Sequence, residues 1–241
     1  MKLHLGCGNK YMDGWVNIDG PQDELCYDTI KADIYARIED LEYPDNSIDE
    51  ILLNAVFEHF PRHVAILQLR KFYKWLKPNG MLTILVPDFW GTVKLLKKSK
   101  SPNEQQFWFR HLYGPQDTLQ FGTHYDAFDV KKLKYMFSIV GFNKYQYKIQ
   151  KRWPGITFTG IKDTTYKPDD EAIHDIIAYM AFYETTDENG IAFKEWMRLM
   201  GLKAEKPVTP TFKTHEMCKT NSLIGKIRAI PGWIFEYCRH N

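Results

Sequence analysis

Lys2-Leu-His-Leu-Gly-Cys-Gly8, running on to Trp15-Val-Asn-Ile-Asp19, is the stretch on which the reading of this chain turns. It predicts a short apolar strand, a glycine turn at Gly6 to Gly8, a second short strand, and an acid, Asp19, at that strand's end. Glycines let a backbone pass close to a ligand, and a carboxylate beyond the second strand can grip a ribose diol. The pattern is the core of a site for a nucleoside cofactor. Residues 9–14 leave little room for the crossover helix that usually joins parallel strands. Gly-Cys-Gly also lacks the third glycine of a dinucleotide fingerprint, and Asp19 comes well before the roughly 20 residues that fingerprint needs.

Charge narrows the choice of cofactor. The net charge is +2, yet residues 1–60 hold thirteen Asp and Glu against four Lys and Arg. A pyrophosphate prefers helix N-termini and basic groups, so this surround argues against a dinucleotide-dependent oxidoreductase and suits a cationic ligand such as a sulfonium. A solvated acidic surface is the plainer account of the same charges. At 241 residues and 44% hydrophobic content the chain can bury one full core with an appendage. Cys7, Cys26, Cys218 and Cys238 are scattered without metal-like spacing, which suits a reducing compartment. The opening residues already read as a strand, and no apolar run approaches a spanning helix, so the expected location is the cytoplasm.

Further strands are predicted at 30–34, ending in the acid-plus-apolar pair Asp33-Ile34, at 48–54, at 81–87, and at about 143–149 and 156–162. An acid beside an apolar residue can accept from an exocyclic amine while packing on a purine. A helix from Pro61 to about Leu76 is stopped by Lys77-Pro-Asn-Gly80, and a second, around Val93, Leu95 and Leu96, follows Asp88-Phe-Trp. A third helix covers 129–140. Strands alternating with helices or short loops make a doubly wound α/β sheet, whose ligands bind beyond the strands' carboxyl ends. Gly6, Gly8, Asp19, Asp33, Asn54 and Asp88 all fall at predicted carboxyl ends. Residues 168–201 read as a helical hairpin turning at Asp187-Glu-Asn-Gly190 and capped by Gly201, and residues 203–241 as a connector and a basic tail. That tail would serve a membrane surface, a partner or another subunit, or simply be solvated.

Leu5-Gly-Cys-Gly8, Asn17-Ile-Asp19, Lys31-Ala-Asp33, Phe57-Glu-His-Phe60, Leu76-Lys-Pro-Asn-Gly80 and Val86-Pro-Asp-Phe89 together resemble class I S-adenosylmethionine-dependent methyltransferases. With Gly114-Pro-Gln116 and Thr123-His-Tyr-Asp-Ala-Phe128 they are similar to the small methyltransferases of polysaccharide and glycan biosynthesis. The resemblance covers about residues 1–162. It implies a Rossmann-like, doubly wound, mostly parallel seven-stranded sheet with a C-terminal helical extension, divided as a cofactor domain over 1–165 and an extension with a basic tail over 166–241. It implies S-adenosylmethionine as cofactor, with Gly6, Cys7 and Gly8 near its methionine portion, Asp19 on the ribose, Asp33 and Ile34 on the adenine, and Asn54 near the sulfonium. His4 stands where many relatives carry Asp or Asn.

Methyl transfer to a sugar hydroxyl, a weak nucleophile, calls for a base or a metal. The candidates are His124, Asp88 and His59, with Glu58 and Tyr125 nearby. His124 lies in a loop rather than a core segment, and Asp88 either faces the site or caps the following helix. Glu58, His59 and His124 would make a divalent-metal site. Some methyltransferases of RNA ribose ends carry Glu-x-x-Glu-His after the same strand, but here Ala55 replaces the first Glu, so catalysis without metal is the expectation. Phe89, Trp90 and Tyr125, with Trp108 and Tyr113, invite stacking on a sugar. The expected function is O-methylation of a sugar or glycan. The alternatives are a non-sugar small molecule, a nucleic-acid end, or an inactive scaffold in a glycan-assembly complex. Partners expected are the glycan acceptor and a second copy of the chain in a homodimer, with no nucleic acid.

Overall fold

The structure, a computed structural model, describes residues 1–22, 30–116, 121–164, 167–181 and 191–203. Its frame is a seven-stranded sheet: β1 (Lys2–Leu5), β2 (Val16–Asp19), β3 (Ile34–Tyr35), β4 (Ile48–Asn54), β5 (Leu76–Pro87), β6 (Lys144–Gln150) and β7 (Gly155–Ile161). The order across it is β3-β2-β1-β4-β5-β7-β6, with the first five strands parallel and β7 antiparallel to both its neighbours. The helices are α1 (Arg62–Trp75), α2 (Phe89–Leu96), α3 (Pro102–Tyr113), α4 (Val130–Val140), α5 (Asp169–Ala181) and α6 (Ile191–Leu199). This is the Rossmann-like, mostly parallel sheet that was expected.

Alternation along the strands drives the sheet's burial. Leu3 and Leu5, Ile51 and Leu53, and Leu82, Ile84 and Val86 are buried on one face, where fully burying each such side chain contributes roughly 1.5–3 kcal/mol. Helix α1 meets the core through Ala65, Ile66, Leu69, Phe72 and Tyr73, spaced as one helical face. Helix α4 adds Phe137, whose ring lies 5.0 Å from Phe142 and 4.9 Å from Phe158. Ile176, Met180, Phe193 and Met197 of α5 and α6 join the same hydrophobic core, so the helical extension shares the sheet's interior. The predicted turn at 187–190, the connector beyond 203, the basic tail, and Cys26, Cys218 and Cys238 lie outside the described residues.

Three details differ from expectation. Strand β3 spans only Ile34–Tyr35, so Asp33 precedes the strand instead of ending it. Strand β5 starts at Leu76, because the chain does not leave the sheet at Lys77-Pro-Asn-Gly80. It bulges there, pairing Leu76 with Ile48 before the ladder resumes at Met81 and Glu50. Helix α3, where no element was expected, carries the aromatic residues Phe107, Trp108, Phe109 and Tyr113, and Ser101 caps it by accepting the Glu104 N–H. The short β1–β2 connection does lack a helix. Asn17 organises it instead, its side chain accepting from the Met12 N–H at 2.9 Å and donating to the carbonyls of Met12 and Trp15.

At the opposite end of the sheet, the buried Lys162 ammonium donates to Asn46 Oδ1 at 2.8 Å and to the carbonyls of Leu76 and Lys74 at 2.6 and 3.3 Å. A cation at the C-terminal end of α1 satisfies carbonyls that the helix leaves open.

Candidate active site

Two groups of residues meet at the carboxyl ends of the parallel strands. The first is the opening stretch. Gly6 and Gly8 both take left-handed backbone, φ +65° and +54°, which glycine adopts without strain. A Cβ on Gly6 would run into the Val56 side chain, whereas one on Gly8 would meet open space. Asp19 ends β2 with its carboxylate drawn back over the turn, accepting the Gly8 N–H at 2.6 Å and the Gly20 N–H at 2.9 Å. Cys7 is buried, its N–H donates to the Ile18 carbonyl, and burial first and then Asp19 push its thiol up to about 12.

The second group is a turn clamped to a loop. Beyond Asn54, Ala55 takes φ +57° and the chain makes a short 3-10 turn over Phe57–His59. Loop residues 121–125 close over it. The Tyr125 N–H donates to the Glu58 carbonyl at 2.9 Å, and His59 Nδ1 donates to the Thr123 carbonyl at 3.0 Å. On the other side, His124 N–H donates to the Tyr113 carbonyl, and His124 Nδ1 faces the Leu112 carbonyl at 3.3 Å. A carbonyl can only accept, so both rings carry their proton on Nδ1 and keep the lone pair on Nε2. The rings meet edge to face with centroids 4.8 Å apart.

Glu58 completes the cluster. It is buried, and its Oε2 accepts no hydrogen bond among the described residues. Burial pushes its carboxyl up to about 8. Burial, and then the neighbouring His59, push His124 down to about 4, and burial lowers His59 as well.

Glu58 and His124 form one side of a cavity of about 260 Å³. Its floor is the end of β5, Leu85 to Pro87, and the tip of the β6–β7 hairpin, and its mouth reaches Ala55. Phe107, Arg110 and His111 of α3 and Trp153 of the hairpin line it as well. The Trp153 ring lies edge-on to Phe107 at 5.4 Å and to His111 at 5.0 Å, and His111 Nε2 donates to the Pro154 carbonyl at 2.8 Å.

Residues 3–84 match the family model for a methyltransferase domain. No curated protein matches the chain. Among solved structures it is similar to a possible exported protein from Bordetella parapertussis, with 12% identity over 68% of this chain and 62% of the other and a TM-score of 0.46. It is similar also to a SAM-dependent methyltransferase from Methanosarcina mazei, with 14% identity over 68% and 92% of the two chains and a TM-score of 0.43. A third, a SAM-dependent methyltransferase from Archaeoglobus fulgidus, gives 12% identity, 67% and 85% coverage, and a TM-score of 0.46.

The rim leaves room for the expected S-adenosylmethionine at Asp19, where the ribose would sit. Asp19 accepts one backbone N–H on each oxygen and interacts with the Cys7 thiol, which leaves acceptor capacity for a ribose hydroxyl, and the space beside Gly8 is open. The adenine side differs from expectation. Asp33 lies beside Asn17, with one oxygen taken by the Asn17 N–H at 2.8 Å and the other by the Tyr11 hydroxyl at 2.8 Å. Ile34 is exposed next to it. Asn54 ends β4 as predicted, one residue from the cavity wall.

Among the acceptor-side candidates, His124, His59 and Glu58 come together. Asp88 does not join them. It is buried at the β5–α2 junction, makes no side-chain cap to α2, and sits so close under Gly91 that a Cβ there would strike its Oδ2. Trp90 leans away, donating from Nε1 to Asp129 at 3.0 Å, and Phe89 packs on Trp90. Tyr125 borders a separate hollow with His63 and Trp196. Phe107, His111 and Trp153, which line the cavity, were not among the candidates. Their signal in the sequence is the aromatic density of Phe107-Trp-Phe-Arg-His-Leu-Tyr113, whereas Trp153 lies in a hairpin tip whose position no local pattern specifies.

Proposed function

We propose that the protein is an S-adenosylmethionine-dependent O-methyltransferase acting on a sugar or glycan hydroxyl. One observation carries the reading: the cavity's lining includes Ala55, the residue after Asn54, and pairs aromatic rings with Arg110 and Gln150. Aromatic faces complement the apolar C–H faces of a sugar, while a guanidinium and an amide serve its hydroxyls. S-adenosylmethionine, when bound, supplies the activated methyl carbon; the acceptor oxygen gains it, the carbon–sulfur bond breaks and S-adenosylhomocysteine leaves. Asp19 would hold the ribose. An exocyclic amine at Asp33 would take the place of the exposed Tyr11 hydroxyl.

His124 is placed to receive the acceptor's proton. Its Nδ1–H is anchored on a carbonyl, its position below the usual histidine range keeps it uncharged at neutral pH, and its Nε2 lone pair is available. Fixing the hydroxyl against the aromatic wall supplies orientation, which can account for a large share of the rate. The reading is tested by calorimetric titration with S-adenosylhomocysteine and with NAD, followed by a panel of sugar, nucleotide-sugar and non-sugar acceptors scored for S-adenosylhomocysteine release. Binding of S-adenosylhomocysteine and turnover on a sugar are expected. Absence of heat with S-adenosylhomocysteine refutes the cofactor assignment. Turnover confined to non-sugar hydroxyls refutes the acceptor, and binding without any turnover makes the protein a scaffold.

A further inference from the structure

We infer that Glu58, His59 and His124 form a binding site for one divalent transition-metal ion of the zinc, manganese or ferrous class. One ligand-capable atom from each of the three lies within 4.8 Å of the others. Two imidazoles and one carboxylate suit these ions, whereas magnesium prefers an all-oxygen shell.

Three independent features separate this cluster from a chance meeting of polar groups. Glu58 is buried with an orphaned oxygen, an arrangement that costs about 1–3 kcal/mol, or more for a charged group, unless something fills the place. Both histidines present Nε2 because each Nδ1–H is held by a backbone carbonyl, the outer-shell contact that ligating histidines regularly make. The backbone itself braces the two halves, through Tyr125 N–H on the Glu58 carbonyl and His124 N–H on the Tyr113 carbonyl. Zn–N and Zn–O distances near 2.0–2.2 Å put tetrahedral ligand atoms about 3.3 Å apart, so the three side chains need to close by an ångström or so.

Three protein ligands leave a position open, as in catalytic zinc sites, and two of the three, Glu58 and His124, line the cavity. An ion there would take an acceptor hydroxyl and make its proton easier to remove, and His124, with Nε2 on the ion, would then hold the ion instead of receiving the proton. That role rests on the hydroxyl-acceptor reading above; the ion site itself does not. It also revises the expectation of metal-free catalysis.

The test uses tag-free, chelator-stripped full chain. Co²⁺ is titrated and followed by its visible d–d bands, and Zn²⁺ by calorimetry, with neither cofactor nor acceptor present. One equivalent of saturable binding is expected, with Zn²⁺ displacing Co²⁺. Glu58→Gln, His59→Asn and His124→Asn should each weaken it by at least about 100-fold, the upper end of what losing a supporting group alone costs. His174→Asn, on an exposed side chain, should leave it unchanged. No saturable binding, or equal binding by the three variants, overturns the inference. If the variants do not fold, X-ray absorption on the Zn²⁺-loaded wild type decides: two imidazole ligands uphold the site, and fewer overturn it. Binding of S-adenosylhomocysteine without any metal binding would sink the ion and leave the methyltransferase standing.

Discussion

Replacing Gly6 by alanine strikes the joint between the cofactor turn and the Glu58–His59 turn. At φ +65° an L side chain costs about 1–2 kcal/mol. The added methyl would also collide with Val56 Cγ2. Overpacking of this kind costs about 1–3 kcal/mol because Val56 has one strongly preferred rotamer and little room to swing. The sum, about 2–5 kcal/mol, lowers the melting temperature of a chain this size by roughly 4–20 °C. Val56 also accepts the His59 N–H at 3.0 Å, so moving it disturbs the turn that carries both Glu58 and His59. The assay is a double-mutant cycle by thermal or denaturant unfolding over wild type, Gly6→Ala, Val56→Ala and the pair. Removing the valine methyls should relieve the collision but not the left-handed backbone, giving a coupling of about 1–3 kcal/mol that favours the double mutant. Additive single effects, or an alanine variant as stable as wild type, would refute the reasoning.

Asp19→Asn should weaken S-adenosylhomocysteine binding by roughly 10- to 150-fold in calorimetry, since hydrogen bonds to a charged group contribute about 1.5–3 kcal/mol. Trp153→Ala should raise the acceptor KM by about 2- to 10-fold, the worth of an aromatic contact, without changing S-adenosylhomocysteine affinity. Gly114→Ala, at φ +79° with its new methyl driven into the Gly122 carbonyl oxygen and the His124 N–H, should displace the loop and abolish turnover while far-UV circular dichroism stays native. Lys162 is pushed down to about 8, chiefly by burial. Between that value and the ordinary lysine range the native state binds fewer protons than the unfolded one, so stability climbs with pH there. Lys162→Met should be destabilised at neutral pH and should flatten that climb in denaturant melts from pH 7 to 10.

What the chain discloses in advance follows its local chemistry. Strands β1, β2, β4, β6 and β7 and helices α1 and α4 were legible because their apolar residues repeat at the period of the element, and because Pro61 and Gly141 mark ends by backbone preference. The extent of β3 was not, since two residues of pairing next to β2 depend on a register that no local pattern carries. The Glu58, His59 and His124 grouping was visible as a set of candidates, but their meeting depends on residues 64 positions apart sharing a main-chain clamp. Asp88 was misplaced for a related reason. Its position after β5 is a rim position by sequence, but the Pro154 carbonyl takes its N–H and the hairpin tip covers it.

The two walls of the active region come from different parts of the chain. The proposed cofactor rim is built from β1 to β4, whereas the proposed acceptor wall is built from α3, the loop at 121–125 and the tip between β6 and β7. Among the described residues, the stretch from Ala55 to His59 adjoins both. Substitutions in the α3 face or a longer hairpin tip can therefore retune which acceptor is admitted while cofactor affinity stays fixed. In that five-residue stretch, by contrast, no change of acceptor is free of consequences for the cofactor. A lineage diversifying its substrates on this scaffold would vary Phe107, Arg110 and Trp153 freely and keep the turn after β4 nearly constant.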